Sequence, residues 1–237
     1  MNKEFRKLLI INASTLPLLI YIGQRSYISQ DEGYYALQAK WILDNGNWLA
    51  PMWWDQVVFD RTIGIQWLIA ISQSFFGRNI WAAHLPSIIS AFITLIITYE
   101  LSKKIKDNNF TLLSPLILST TYLWINHAHL ATQDMPLLAL EMIGIWGLFN
   151  YHSNKSNFYK IISGIWIGPA LMLKTFMVVI PIFAILPFLI IYKKRILKEK
   201  LFWFSLVLGL LPFILWIFLS INAYGIESVS MLISKFN

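Results

Sequence analysis

The sequence predicts an all-α integral membrane fold of about seven transmembrane helices, with a juxtamembrane surface helix in the first outer loop. Three observations predict it. Hydrophobic residues fill 57% of the 237 positions and charged residues only 13%, against about 45–50% and about 25% in soluble domains. Apolar runs recur from end to end, with a mean hydropathy of +0.59, so no soluble domain can be cut out. Positive residues gather in short clusters between those runs, as cytoplasmic loops do.

That clustering also disposes of the nucleic-acid partner that a net charge of +7 suggests. No basic face interleaved with aromatics is present to follow a phosphate backbone. The 11 Trp suit interfacial belts. The absence of cysteine excludes disulfides, thiol nucleophiles and Cys-ligated metals.

A spanning helix needs about 20 mostly apolar residues. The first candidate is 6–26, preceded by the basic Met1 to Lys7. Gln24-Arg25-Ser26-Tyr27 is a poor cleavage site, so this reads as an uncleaved anchor rather than a signal peptide. In the loop 27–78, Ser29 to Gly46 reads as one helix. Ser29 is its N-cap with Glu32 at the capping-box spacing, and Asp44-Asn45-Gly46 is its stop. Tyr34, Leu37 and Trp41 form an apolar stripe that would lie on the membrane surface. Residues 47–62 read as irregular, with Trp48, Trp53 and Trp54 at the interface. The apolar stretch 63–76 is too short to span and reads as an interfacial helix. The bundle 79–223 then holds spans at 79–101, 110–126, 135–151, 158–173, 175–192 and 201–223.

Charge fixes the orientation of this arrangement. With a cytoplasmic N-terminus, the inner loops hold Lys3, Arg6, Lys7, Lys103, Lys104, Lys106, Lys155, Lys160, Lys193, Lys194, Arg195, Lys198 and Lys200, thirteen of the 19 basic residues. Were 63–76 to span, the later clusters would change sides and the bias would collapse. The loop 27–78, the segment His127–Asp134 and Lys174 therefore fall together on the outer face, leaving Arg25, Lys40, Arg61, Arg78, Lys174 and Lys235 outside the inner loops.

Asp31-Glu32-Gly33-Tyr34-Tyr35, directly after the first span, resembles the acidic motif of the GT-C glycosyltransferases. The resemblance is closest to the branch of protein O-mannosyltransferases and the lipid A aminoarabinose transferase. It continues through Gly46-Asn47-Trp48, Phe59-Asp60-Arg61, Phe76-Gly77, Ala83-His84-Leu85-Pro86, Ala131-Thr132-Gln133-Asp134-Met135-Pro136 and Leu173-Lys174, in family order from about residue 8 to 192. Departures occur. Arg61-Thr62-Ile63 stands where the family usually has Lys-Pro-Pro, His84 where an Arg commonly precedes Leu-Pro, and Thr175-Phe176 where Gly-Pro follows the lysine. Family members also continue past the equivalent of Asn237 with more helices. The chain thus reads as a single module, 1–237, with the family's C-terminal part absent, which leaves a fragment, a minimal enzyme and an inactive remnant open.

The resemblance implies a membrane hexosyl or pentosyl transferase using a polyprenyl-phosphate-sugar donor. The hydroxyl acceptor is a lipid, glycan or protein on the outer face, and the implied location is a bacterial inner membrane with the site periplasmic. Such a reaction needs one carboxylate as general base and positive charge to hold the phosphate. Because phosphate is itself the leaving group, no second, protonated carboxyl is required. Asp31 is the expected base and Glu32 the second catalytic candidate, although Glu32 also completes a capping box and Asp31 suits a helix dipole. Arg61 and Lys174 are expected at the donor phosphate, with Tyr35, Asp60 and Asp134 completing the substrate-binding set. His127, His129 and Asp134 form a metal-ligand set for a divalent ion. Glu141, two turns beyond Asp134 inside an apolar run, reads as a buried structural partner, and His84 and His152 carry no site expectation. Membrane lipids are the remaining partner. The rival readings are a transporter, with Glu141 and Lys174 as pathway residues, and an inert lipid- or partner-binding module.

Overall fold

The computed structural model describes residues 12–20, 22–24, 26–28, 31–54, 56–105, 109–151, 156–175 and 177–234. The basic N-terminus, Arg25, the Ser29 cap, Lys106, His152, Lys155, Phe176 and Lys235 lie outside them. The described chain is helical nearly throughout: α1 (12–19), α2 (Glu32–Asn45), α3 (Gly64–Phe76), α4 (Ile80–Ile105), α5 (Leu113–Thr120), α6 (Tyr122–Ala128), α7 (Asp134–Asn150), α8 (Asn157–Ile165), α9 (Ile167–Leu173), α10 (Val179–Tyr192), α11 (Lys200–Tyr224) and α12 (Glu227–Ser234). A two-residue hairpin, β1 (Met52–Trp53) with β2 (Gln56–Val57), replaces part of the expected irregular segment.

Among the described residues, two helices are long and apolar enough to cross a membrane by themselves, α4 and α11. At 1.5 Å per residue their 26 and 25 residues reach about 39 and 37 Å, more than the roughly 30 Å of hydrocarbon. The expected span 6–26 is described only in part, and the remaining ones are shorter or broken. The run at 110–126 divides at Thr121, which is extended (φ −75°, ψ 121°). Successive hydroxyls cause this: Ser119, Thr120 and Thr121 donate to the carbonyls of Leu116, Ile117 and Ile117 at 2.9–3.0 Å, competing with the helical ladder. The run at 158–173 divides at Trp166, because Pro169 has no N–H to give to Ile165.

Proline acts differently in α4. Pro86 leaves the carbonyl of Ala82 without its i+4 donor, and the Ser72 hydroxyl of α3 supplies one at 2.6 Å. The polar bond ties α3 to the start of α4. With 13 residues, α3 is too short to cross, and Gly64, Ile65, Gln66, Ile69, Ala70, Ser72 and Gln73 are buried.

The face that α2 buries is not the predicted stripe. Tyr35, Gln38, Ala39 and Ile42 pack inward, while Tyr34, Leu37 and Trp41 are half-buried. The amides of Gln38 and Gln66 meet at 2.7 Å between α2 and α3. α2 is therefore a layer of the protein itself, seated on α3, and it ends as expected with Gly46 at φ 67° closing on Ile42.

Helices α8, α9 and α11 pack through small residues. A Cβ at Gly164 would meet the Phe202 carbonyl at 2.7 Å, and one at Gly168 would collide with the backbone of Gly209. Gly164 and Gly168 on one side face Ser205 and Gly209 on the other at the same four-residue spacing, so the backbones touch directly. Gly168→Leu should force them apart and cost about 1–3 kcal/mol or more, read as a lower thermal midpoint of the detergent-purified protein; an unchanged midpoint would refute the seam. Outside this seam α11 and α10 expose Phe204, Val207, Leu211, Ile214, Phe218, Phe183 and Ile190, surfaces suited to lipid. At the far end of the bundle, Lys193 donates to the Phe149 and Tyr151 carbonyls at the end of α7 (3.2 and 2.9 Å), and Lys160 pairs with Glu199 at 3.0 Å.

Candidate active site

Asp31 is the N-cap residue of α2, yet its carboxylate makes no capping hydrogen bond and its side chain is 61% exposed. It lies 3.7 Å from the guanidinium of Arg61. The turn beneath it is closed by Ile28, whose carbonyl accepts from the N–H groups of Asp31 (3.3 Å) and Gly33 (3.0 Å). The Asp31 carboxylate also stands at the positive end of the α2 dipole.

Arg61 is the centre of the first cluster. It donates to the Tyr35 hydroxyl, lies 3.8 Å from Asp60, and stands 5.2 and 5.1 Å from the ring centroids of Tyr34 and Tyr35. Burial works against its charge, but Tyr35, Asp60 and Asp31 outweigh burial and raise it further. Tyr34 in turn donates to Asp60 at 2.8 Å. Burial, then that bond and the Asp60 charge, push the Tyr34 phenol well up, so it stays a neutral donor. The aromatic pair holds a guanidinium whose side chain stays 33% exposed, a group suited to phosphate.

The second cluster is built by the loop before α7 and the end of α9. Lys174, the C-cap residue of α9, reaches Asp134 at 2.8 Å. Thr132 donates to the other carboxylate oxygen of Asp134 at 3.3 Å, and His127 lies 3.6 Å from that oxygen. The Tyr35 phenol, bonded to Arg61, also lies within the electrostatic reach of Asp134, which makes the two clusters neighbours. Asp31, Tyr35, Asp60, Arg61, Asp134 and Lys174, drawn from three distant segments, gather in one polar region.

Two sequence expectations fare differently. Glu32 is fully buried, where its carboxylate accepts from the N–H groups of Ile28 (3.0 Å) and Ala131 (2.8 Å) and meets His84 at 2.8 Å. The Ser29 half of the expected capping box lies outside the described residues. The metal set does not assemble: His129 turns Nδ1 to the Ile125 carbonyl at 2.9 Å, and among the described residues no three His, Asp or Glu side chains converge as ligands. His84 is the residue that sequence reasoning missed. Its one signal in the sequence was its place directly before Leu85-Pro86.

A family model described as dolichyl-phosphate-mannose-protein mannosyltransferase matches residues 60–218. The undecaprenyl phosphate-alpha-4-amino-4-deoxy-L-arabinose arabinosyl transferase of Erwinia tasmaniensis is 28% identical over 192 residues, covering 78% of this chain and 34% of that protein. The protein of the same description from Photorhabdus laumondii is 27% identical over 187 residues, covering 76% of this chain and 34% of its own length. The crystal structure of ArnT from Cupriavidus metallidurans bound to undecaprenyl phosphate shares the fold, with a TM-score of 0.80 over 94% of this chain and 42% of that one at 16% identity. The chain thus spans about a third of the length of these curated relatives.

Proposed function

The chain belongs to the dolichyl-phosphate-mannose-protein mannosyltransferase family, within the integral membrane GT-C glycosyltransferases, and from that premise we propose that it moves a sugar from a polyprenyl-phosphate donor to a hydroxyl acceptor at the outer membrane face. The observation that carries this reading is the pairing of Arg61 and Lys174 with carboxylates in one polar region: two cations for a phosphate beside an exposed carboxylate for a hydroxyl proton. The relatives, described as undecaprenyl-phosphate aminoarabinose transferases, support the donor class.

In the proposed reaction the acceptor oxygen attacks the anomeric carbon while Asp31 removes its proton. The bond from that carbon to the phosphate oxygen breaks, and its electron pair leaves on polyprenyl phosphate. Arg61 and Lys174 hold the charge that develops there. Asp60 and the Tyr34–Tyr35 pair aim Arg61, and Asp134 aims Lys174. Glu32, shut away from solvent, takes a positioning role instead of the catalytic one expected for it. We take the chain as a single module crossing the membrane seven times, with α5–α6 and α8–α9 as broken spans, the N-terminus cytoplasmic and the site periplasmic.

Native mass spectrometry of the detergent-extracted protein, supplied with undecaprenyl phosphate, tests the donor site. The wild-type chain should retain the lipid, and Arg61→Ala should lower occupancy about fivefold or more, in keeping with loss of a charge-assisted hydrogen bond. Equal retention by both proteins would overturn the assignment of Arg61.

A further inference from the structure

We infer that His84 is a positioning residue for the base: through Glu32 it clips the Asp31 turn to the Ala131–Asp134 loop, and so sets the two halves of the site against each other. This rests on the transferase reading above for its activity arm only. The clip is built from three elements that are remote in sequence. His84 belongs to α4, where its Nδ1 donates to the Ile80 carbonyl at 2.7 Å and its Nε2 meets Glu32 Oε1 at 2.8 Å. Glu32 opens α2, and the same Oε1 accepts the Ala131 N–H at 2.8 Å, while Oε2 accepts the Ile28 N–H at 3.0 Å. One turn along α4, the Ser87 hydroxyl donates to the Thr132 carbonyl at 3.3 Å. Tyr27, on the chain entering the turn, stacks on the His84 ring at 5.8 Å and 14°.

The hydrogen-bond count shows why a ring of this chemistry is needed. A backbone carbonyl has no proton to give, so Nδ1 carries one toward Ile80. Glu32 accepts the Ile28 and Ala131 N–H groups, and its Oε1 shares a hydrogen bond with His84 Nε2. The group at position 84 therefore bridges a backbone carbonyl and a carboxylate oxygen inside a site where the Glu32 and His84 side chains are 0% and 4% exposed. Removal of the ring takes one partner from a buried carboxylate, a costly change that movement of the turn relieves. Asp31 precedes Glu32 directly, and Asp134 follows Ala131 by three residues, so any such movement changes the spacing of base and phosphate cations. A displacement of about 1 Å in a reacting geometry lowers turnover by about 10²-fold. A guanidinium can donate to both oxygens, and a cavity of about 670 Å³ beside His84, walled by Pro17, Ile20, Ile88 and Ile125, gives it room.

Two measurements on the full chain decide this. Amide exchange in the Ala131–Asp134 segment needs no activity: it should quicken tenfold or more in His84→Ala and return toward wild type in His84→Arg. Release of undecaprenyl phosphate from undecaprenyl-phosphate aminoarabinose, used as the probe, should show kcat reduced about 10- to 100-fold in His84→Ala with KM within about twofold, and recovery in His84→Arg. Unchanged exchange in His84→Ala overturns the clip. Loss of exchange protection across the whole chain, with KM and kcat failing together and no recovery by Arg, also overturns it, in favour of a general packing role. A wild-type chain that releases no undecaprenyl phosphate defeats the transferase reading, while the exchange result still decides the clip.

Discussion

Asp31→Asn is expected to lower release of undecaprenyl phosphate from a lipid-linked sugar by about 10²- to 10⁴-fold, the range of a lost general base, with the chain still folded and inserted. The substitution keeps shape and removes the proton acceptor. Because Asp31 makes no capping bond and is 61% exposed, the helix α2 loses little with it. The Arg61 cation also keeps Asp60 and the two tyrosines as partners, so donor binding should change less than about threefold, within the worth of an exposed ion pair. Turnover and binding must therefore part company. Near-normal turnover in Asp31→Asn would remove Asp31 from the reaction, and a matching loss of undecaprenyl phosphate binding would make it part of the donor site instead.

The second large effect belongs to Lys174. Lys174→Met keeps the apolar stem and deletes the charge, and the dissociation constant of undecaprenyl phosphate should rise about 10- to 100-fold, as for a lost charged hydrogen bond. Part of that loss comes from Asp134, whose carboxylate is then left beside a phosphate without its 2.8 Å partner. The double variant Lys174→Met with Asp134→Asn should therefore bind more tightly than Lys174→Met alone, a non-additivity expected of groups in contact. Titration of the four proteins with undecaprenyl phosphate, followed by quenching of intrinsic tryptophan fluorescence, reads this directly. Strict additivity would mean that Asp134 does not face the phosphate.

The positions of the helices and the gathering of 27–78, 127–134 and 174 were legible because hydropathy and charge are summed over many residues. What depends on single bonds was not. A hydropathy window passes over Thr121 unchanged, since one extended residue inside an apolar run does not alter the mean, yet three adjacent hydroxyls there donate to carbonyls of the preceding turn, those of Leu116 and Ile117. The buried face of α2 was misjudged by one position. Both Tyr34–Leu37–Trp41 and Tyr35–Ala39–Ile42 are apolar at helical spacing, and the choice is made by α3, which needs the small Ala39 and the amide of Gln38 against Gln66. Glu32 was visible as a carboxylate but not as a buried one, because its partners Ala131 and His84 lie far along the chain. The acidic pair thus divides into one exposed and one enclosed member, a distinction the dipeptide itself does not carry.

The backbone contact of Gly168 with Gly209 has a bearing on the substrate. Lys174 stands six residues beyond Gly168, about 9 Å along the axis of α9, and its own N–H is bonded to the Ala170 carbonyl at 3.0 Å. The backbone of Lys174 is therefore fixed along α9 by a contact of peptide chains, and its side chain, held by Asp134 at 2.8 Å, carries the ammonium out from that fixed point. A prenyl tail is fluid and its length is indifferent to such a fixed point; only the headgroup has to arrive at one level. On the proposed transferase reading, the donor would be gauged by the altitude of its headgroup, with variety tolerated in the chain below.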